Sequence, residues 1–228
     1  MSKPGMILCL ETATTNCSVA LSFEGKQVAL IEDYDVKYSH AERLHRYIEE
    51  VLALAKATKE DLVAIAVSKG PGSYTGLRIG VSAAKGLSFA LDVPLISIPT
   101  LQSLAMQVAG ARDALIIPML DARRMEVYSA VFDHESNLVR ETQAEILGPE
   151  HFAQYLEQGK VTFIGSGVPK FSEICEHPNA IFVEDKLPSA AQICDLAYQK
   201  YLQEDFENVA YFEPYYLKDF IAGVPKKK

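Results

Sequence analysis

The sequence predicts an α/β protein built from two related halves. Three observations carry this. An apolar run, a turn bearing a carboxylate and an alternating strand occur twice, with Glu11 and Asp121 in matching places 110 residues apart. The apolar strands that follow are separated by helix-length crossovers, which imply parallel pairing with right-handed connections. The chain has 228 residues, 49% hydrophobic and 23% charged, an ordinary globular composition. A chain of this size buries roughly 70% of its extended surface on folding, so its stability requires no metal or disulfide staple.

In the first half, Met6-Ile7-Leu8-Cys9-Leu10 is a short apolar run and Glu11-Thr12-Ala13-Thr14-Thr15-Asn16 a polar turn. Residues 17–23 alternate as a half-buried strand does, Glu24-Gly25-Lys26 turns, and 27–33 returns as a third strand. Ser39-His40-Ala41-Glu42 is a capping box that opens a helix over 39–56. At 100° per residue, Leu44, Ile48, Val51, Leu52 and Ala55 share one face, with Tyr47 and Leu54 widening the apolar arc. Glu42, Arg46, Glu49 and Glu50 form the wet side. The arc is wider than one core contact needs, so part of it is expected to face a second chain. Strand 64–68, a glycine-rich segment, a helix over 75–91 and strand 94–98 complete this half.

The second half begins with the apolar run 114–120 and the charged turn Asp121-Ala122-Arg123-Arg124. Strands follow at 126–132 and 137–146, then a helix over 150–158, strand 161–164 and the turn Gly165-Ser166-Gly167. An amphipathic helix over 189–203 is opened by an N-cap at Ser189. Pro214-Tyr215-Tyr216-Leu217 has extended tendency and is expected to pack back on the body. The predicted lobes are 1–104 and 105–228.

With 22 Lys+Arg against 30 Asp+Glu, the net charge is −8. That balance repels a phosphate backbone and argues against a dedicated nucleic-acid binder, while leaving room for a local basic patch. The run Lys226-Lys227-Lys228 reads as a solvated terminus. Cys9, Cys17, Cys175 and Cys194 form no CxxC pair, and Met1-Ser2-Lys3-Pro4-Gly5 has no signal pattern. A reduced, cytoplasmic protein with buried cysteines is therefore expected. No apolar run approaches the ~20 residues needed to cross a bilayer, so no membrane role is expected.

The densest signal is Gly70-Pro71-Gly72-Ser73-Tyr74-Thr75-Gly76-Leu77-Arg78-Ile79-Gly80. Glycines allow close backbone approach, and a helix N-terminus offers N–H groups to an anion. Gly70, Gly72, Ser73, Thr75 and Gly76, with Glu11, are thus candidate nucleotide or anion contacts. The competing reading is a closely packed turn, and the Lys-Ser/Thr ending of a P-loop is missing. In the following helix, Gly76, Gly80, Ala83 and Ala90 line a stripe with Leu87, and Gly86 lies beside it. Glycines inside a helix cost ~1 kcal/mol each relative to alanine, so a close neighbour must offset Gly80 and Gly86. That neighbour is either helix 39–56 or a partner's helices.

His40 and His45 flank Glu42, but a metalloprotease site needs histidines at i and i+4; a separation of five places them about 140° apart. Glu11 and Asp121 end strands, where a carboxylate could orient water or Mg²⁺ near phosphates or simply bond its own turn. No Ser-His-Asp set can be assembled from the sequence.

The segment from Ile7 to Ala13, the strand from Cys17 to Leu21 and the stretch Gly70 to Gly80 together closely resemble the TsaB (YeaZ) family. Asp121-Ala122-Arg123-Arg124-Met125-Glu126-Val127-Tyr128 and Glu213-Pro214-Tyr215-Tyr216-Leu217 match its later signatures. The resemblance implies an actin/Hsp70/sugar-kinase-like (ASKHA, ribonuclease H-like) fold of two duplicated lobes. It also implies a role in making N6-threonylcarbamoyladenosine (t6A) at position 37 of ANN-decoding tRNAs. In that pathway the paralogue TsaD transfers the group from threonylcarbamoyl-adenylate, TsaB pairs with TsaD, and the ATPase TsaE joins the bacterial complex. The implied role is a noncatalytic dimerisation subunit that meets tRNA indirectly, through the complex; without its partner, the surface of helices 39–56 and 75–91 is expected to self-associate into a homodimer. No cofactor of its own is expected; the joint with the partner is left open as a place for ATP or ADP. The catalytic paralogue's metal-binding histidines are missing from the stretch Pro94 to Ala105, and Glu11 stands where nucleotide-using members of the fold carry Asp.

The resulting expectation is a partner surface made of His40, Leu44, Tyr47, Val51 and Leu54 on the first helix and Gly76, Gly80, Ala83, Leu87 and Ala90 on the second. Catalytic and metal residues are expected to be absent. The competing readings are an autonomous nucleotide-dependent enzyme of the same fold, using Gly70 to Gly76 and Glu11, and a metallopeptidase-like protein.

Overall fold

A computed structural model describes residues 5–34, 40–110 and 114–218. Ser39 of the expected capping box, most of the segment Met1 to Gly5 and the run Lys226-Lys227-Lys228 lie outside the described residues.

The first sheet contains β1 (Met6–Glu11), β2 (Cys17–Phe23), β3 (Lys26–Asp33), β4 (Leu62–Gly70) and β5 (Leu95–Pro99). Its spatial order is β3-β2-β1-β4-β5, with β1, β2 and β3 antiparallel and β4 and β5 added in parallel. The second contains β6 (Ala114–Asp121), β7 (Glu126–Phe132), β8 (Leu138–Ile146), β9 (Lys160–Ile164) and β10 (Ala180–Val183). Its order, β10-β9-β6-β7-β8, repeats the first one strand for strand. The duplication read from Glu11 and Asp121 is therefore structural: each carboxylate ends the central strand of its sheet. This repeated topology is the two-lobe, ribonuclease H-like architecture of the actin/Hsp70/sugar-kinase class.

Period-2 alternation explains how the first sheet is covered on both faces. Leu8, Leu10, Val19 and Leu21 point to one side and pack with α1 (His40–Leu54) and α2 (Tyr74–Leu91) through Leu44, Ile48, Val51, Val81 and Ala84. Ile7, Cys9 and Ala20 point to the other side and meet Ala190, Ile193, Cys194 and Ala197 of the last helix. In the second sheet, Ile117, Met119, Val127 and Phe163 pack with Phe152 and Phe171, whose rings stand edge to face at 5.3 Å. The opposite face, through Ile116, Leu120 and Phe132, meets Leu101, Leu104 and Ala105 of α3 (Thr100–Ala105). All four cysteines are free and buried.

Helices are thus exchanged between the halves. The first half supplies α3 to the second sheet, and the second half supplies its final helix to the first sheet. The expected division between 104 and 105 falls inside α3. The expected helix over 150–158 is reduced to the single turn α4 (Ala153–Leu156), because no apolar face longer than Phe152 and Leu156 is available to hold it. Beyond it lie α5 (Val168–Ser172) and α6 (Ala190–Leu202), the latter capped by Ser189, whose hydroxyl accepts from Ala191 N. The strap of residues 214–218 returns to the first lobe: Tyr215 N donates to Lys69 O at 2.7 Å, and the Tyr216 and Tyr74 rings lie 4.9 Å apart. Among the described residues, no helix is long and apolar enough to cross a membrane.

Candidate functional site

The turn after β1 organises the first lobe, because both α1 and α2 begin against it. His40 Nε2 donates to Thr14 O at 2.7 Å, and Thr12 Oγ1 donates to Gly76 O at 2.9 Å. Ser73 N donates to Ala13 O at 2.7 Å, while the Ser73 hydroxyl caps α2 by accepting from Gly76 N. Burial holds the His40 imidazole below its usual pKa, against the opposing pull of the Thr14 carbonyl.

This packing revises the expected partner stripe. A Cβ at Gly76 would lie 2.1 Å from the Thr12 carbonyl oxygen, and one at Gly80 would lie 2.2 Å from Thr12 Oγ1. The neighbour that requires these two glycines is the chain's own turn, so neither belongs to a partner surface. His40, Leu44, Tyr47 and Val51 are interior as well. Tyr47 turns inward because its hydroxyl donates to Asp33 Oδ2 at 2.9 Å, beside the Arg43–Asp33 ion pair. Of the expected set, Leu54 and Ala90 remain exposed, and Ala83 and Leu87 half-buried.

What faces outward is an open groove of about 640 Å³ between the two helices, walled by Ala41 and His45 of α1 and by α2 from Thr75 through Arg78, Ile79, Ser82 and Ala83 to Gly86 and Leu87. A Cβ at Gly86 would meet nothing within 4 Å. Phe89, on the same helix, is 84% exposed. Phe89 carries no motif signal in the sequence; only its place three residues after Gly86 sets it on that side of the helix. His45 lines the groove while His40 is buried on Thr14, so the two histidines share no ligand site. Among the described residues, no group of three or more His, Cys, Asp or Glu side chains is placed to hold a metal ion.

The two matched carboxylates have opposite environments. Glu11 is 0% exposed; its Oε1 accepts from Ala13 N at 2.7 Å and Ser68 Oγ at 2.8 Å, and its Oε2 has no hydrogen-bond partner among the described residues. Burial pushes its pKa up to about 7 despite those hydrogen bonds. Asp121 is solvent-facing, and its Oδ1 accepts from Arg123 N at 2.5 Å and Lys170 Nζ at 2.6 Å. The glycine segment does not fit a phosphate cradle. Ala13 occupies the space beside Gly72, the Tyr215 carbonyl lies 2.6 Å from a Cβ at Gly70, and the Ser73 amide is committed to Ala13. Of the candidate contacts, Gly70, Gly76 and Glu11 are buried in this packed turn, Gly72 and Ser73 are half-buried against Ala13, and Thr75 faces the α1–α2 groove.

Comparison with known proteins gives a consistent neighbourhood. The family described as TsaD, tRNA N6-adenosine threonylcarbamoyltransferase, matches residues 34–226. The tRNA threonylcarbamoyladenosine biosynthesis protein TsaB of Haemophilus influenzae is 30% identical over 241 residues, covering 95% of this chain and 94% of its own. Its Escherichia coli counterpart is 30% identical over 224 residues, covering 95% and 96%. The solved structure of YeaZ from Pseudomonas aeruginosa superposes with a TM-score of 0.80 at 27% identity, covering 93% of this chain and 100% of that one.

Proposed function

Because the chain belongs to the TsaB (YeaZ) family, we propose that it serves t6A biosynthesis as a noncatalytic pairing subunit, binding a TsaD paralogue that performs the transfer to adenosine 37 of tRNA. One observation carries this reading: α2 lines an open groove through Ile79, Ala83, Leu87 and the unobstructed Gly86, and carries an 84% exposed Phe89 three residues beyond that glycine, while its opposite face is packed on the sheet. A lone soluble domain gains nothing from Gly86 and Phe89 at such positions, whereas a partner helix seated there buries both. In the absence of TsaD, a second copy of this chain takes the same groove, giving a homodimer. TsaE joins the assembled pair. The close approach of Ala13 and Tyr215 to this chain's glycine segment favours the joint with the partner, rather than that segment alone, as a place for ATP or ADP.

The experiment is co-purification of the chain with TsaD, comparing the parent with Gly86→Trp and Ala83→Trp. Both variants are expected to remain folded and to lose the partner. Retention of TsaD at parental yield by both would refute the docking site.

A further inference from the structure

Net charge argues against nucleic-acid binding, yet the charge is not evenly spread. The β6–β7 hairpin tip carries Arg123 and Arg124 side by side, both exposed and both in the left-handed backbone region, at φ 72° and 51°. Non-glycine residues reach that region at a cost, and two in succession form the bend that puts both arginine side chains on the exposed tip. The hairpin is closed by Ala122 N donating to Glu126 O at 3.0 Å and Glu126 N to Arg123 O at 3.1 Å. Its two carboxylates are already neutralised: Lys170 holds Asp121, and Lys218 pairs with Glu126. Among the described residues, no carboxylate pairs with Arg123 or Arg124.

Lys218 also links this tip to a second feature. It lies two residues after Tyr216, whose ring, 38% exposed, sits 4.9 Å from that of Tyr74. The Arg78 guanidinium lies over the Tyr74 ring at 5.5 Å, and Tyr215, 45% exposed, is tied by its amide to the Lys69 carbonyl. A strip running from Arg78 through the tyrosines and Lys218 to Arg123 and Arg124 thus interleaves cations with half-exposed rings. It holds six cations, with Lys69 and Lys170, against Asp121, Glu126, Glu141 and Glu213, reversing the balance of the whole chain. Arg78 also lines the α1–α2 groove, so the strip abuts the proposed docking face.

We propose that this chain contacts RNA directly, the Arg123–Arg124 tip taking the phosphate backbone and the Tyr74–Tyr216 pair stacking unpaired bases of a single-stranded loop. Guanidinium groups provide salt-dependent phosphate contacts, and rings provide stacking that a regular duplex cannot use. The inference rests on the t6A reading for its choice of polyanion, since an acidic protein would satisfy the arginines but not the rings.

The test uses the full chain and fluorescence anisotropy with three probes: an RNA hairpin bearing a seven-nucleotide loop, a blunt RNA duplex of equal length, and polyglutamate. The hairpin is expected to bind more tightly than the duplex, and polyglutamate is expected not to compete. The double variant Arg123→Gly plus Arg124→Gly suits this backbone, since glycine adopts both conformations without strain. It is expected to weaken hairpin binding about tenfold or more and to reduce the slope of log K against log salt by about 1–2. Tyr216→Ala is expected to weaken binding about tenfold with the slope unchanged. Arg46→Ala, on the exposed face of α1, is expected to change nothing. Equal binding of hairpin and duplex, parental binding by both site variants, or competition by polyglutamate overturns the proposal. The glycine variant should still co-purify with TsaD; a chain that pairs but ignores RNA defeats only this inference, and one that binds RNA but never pairs defeats only the docking role.

Discussion

The Thr12 hydroxyl donates to the Gly76 carbonyl at 2.9 Å, and the Thr12 carbonyl oxygen fills the space a Cβ at Gly76 would need. The turn after β1 and the first turn of α2 are thereby one packed unit. Gly76→Ala must displace backbone, which costs about 1–3 kcal/mol of overpacking. At this chain length that lowers the melting temperature by several degrees. Gly80→Ala meets only the Thr12 side chain and regains helix propensity, so it is expected to lose less. Thermal unfolding of the two variants checks the order, and an unchanged Gly76→Ala would contradict the packing described.

Gly86 predicts the opposite sign. It lies inside α2 with open space around its Cα, so Gly86→Ala should stabilise the isolated chain by about 1 kcal/mol. Urea unfolding measures this, and a destabilised variant would mean that the position is covered in the monomer.

Glu11 makes stability depend on pH. Its folded pKa of about 7 lies above the ordinary 4.5, so the folded state favours the protonated carboxyl. That preference is fully present below about 4.5 and is lost as pH rises to about 7, with a total of a few kcal/mol. Glu11→Gln, neutral throughout, should flatten the loss between those limits and be the more stable chain at pH 8. Parallel stability curves for parent and variant would show that Glu11 ionises in the fold as it does in the unfolded chain.

In the second lobe, Glu145 accepts from both Arg140 terminal nitrogens, at 2.5 and 2.8 Å, and lies 3.0 Å from His151 Nε2. Those contacts, with that of Ser129, overcome the burial that would otherwise raise its pKa and hold it below the usual value. Glu145→Ala leaves the Arg140 guanidinium over the Phe152 ring without its carboxylate, an expected cost of about 2–4 kcal/mol. Chemical denaturation gives the value, and a change below about 0.5 kcal/mol would place the pair with ordinary surface ion pairs.

Much of this architecture was legible in the sequence. The alternation in Cys17–Phe23, the apolar run of β4 and the match of Glu11 with Asp121 are local patterns, and they led to the two like-ordered sheets. Gly76 and Gly80 were assigned to the wrong neighbour because a helical projection shows which residues share a face but not what covers it. Their neighbour, Thr12, lies 64 residues before Gly76. The same limitation placed His40 and Tyr47 outside, since their anchors, Thr14 and Asp33, are tertiary contacts. The exchange of α3 and α6 between sheets, and the positive-φ arginines of the second hairpin, leave no periodic signal at all.

The most direct measurement is formation of t6A on tRNA from threonylcarbamoyl-adenylate, followed by mass spectrometry of nucleosides with each purified subunit omitted in turn. The predicted result is no product from this chain alone, and product from its combination with TsaD that falls when Gly86→Trp replaces the parent. Modified adenosine from this chain and tRNA without TsaD would contradict the account.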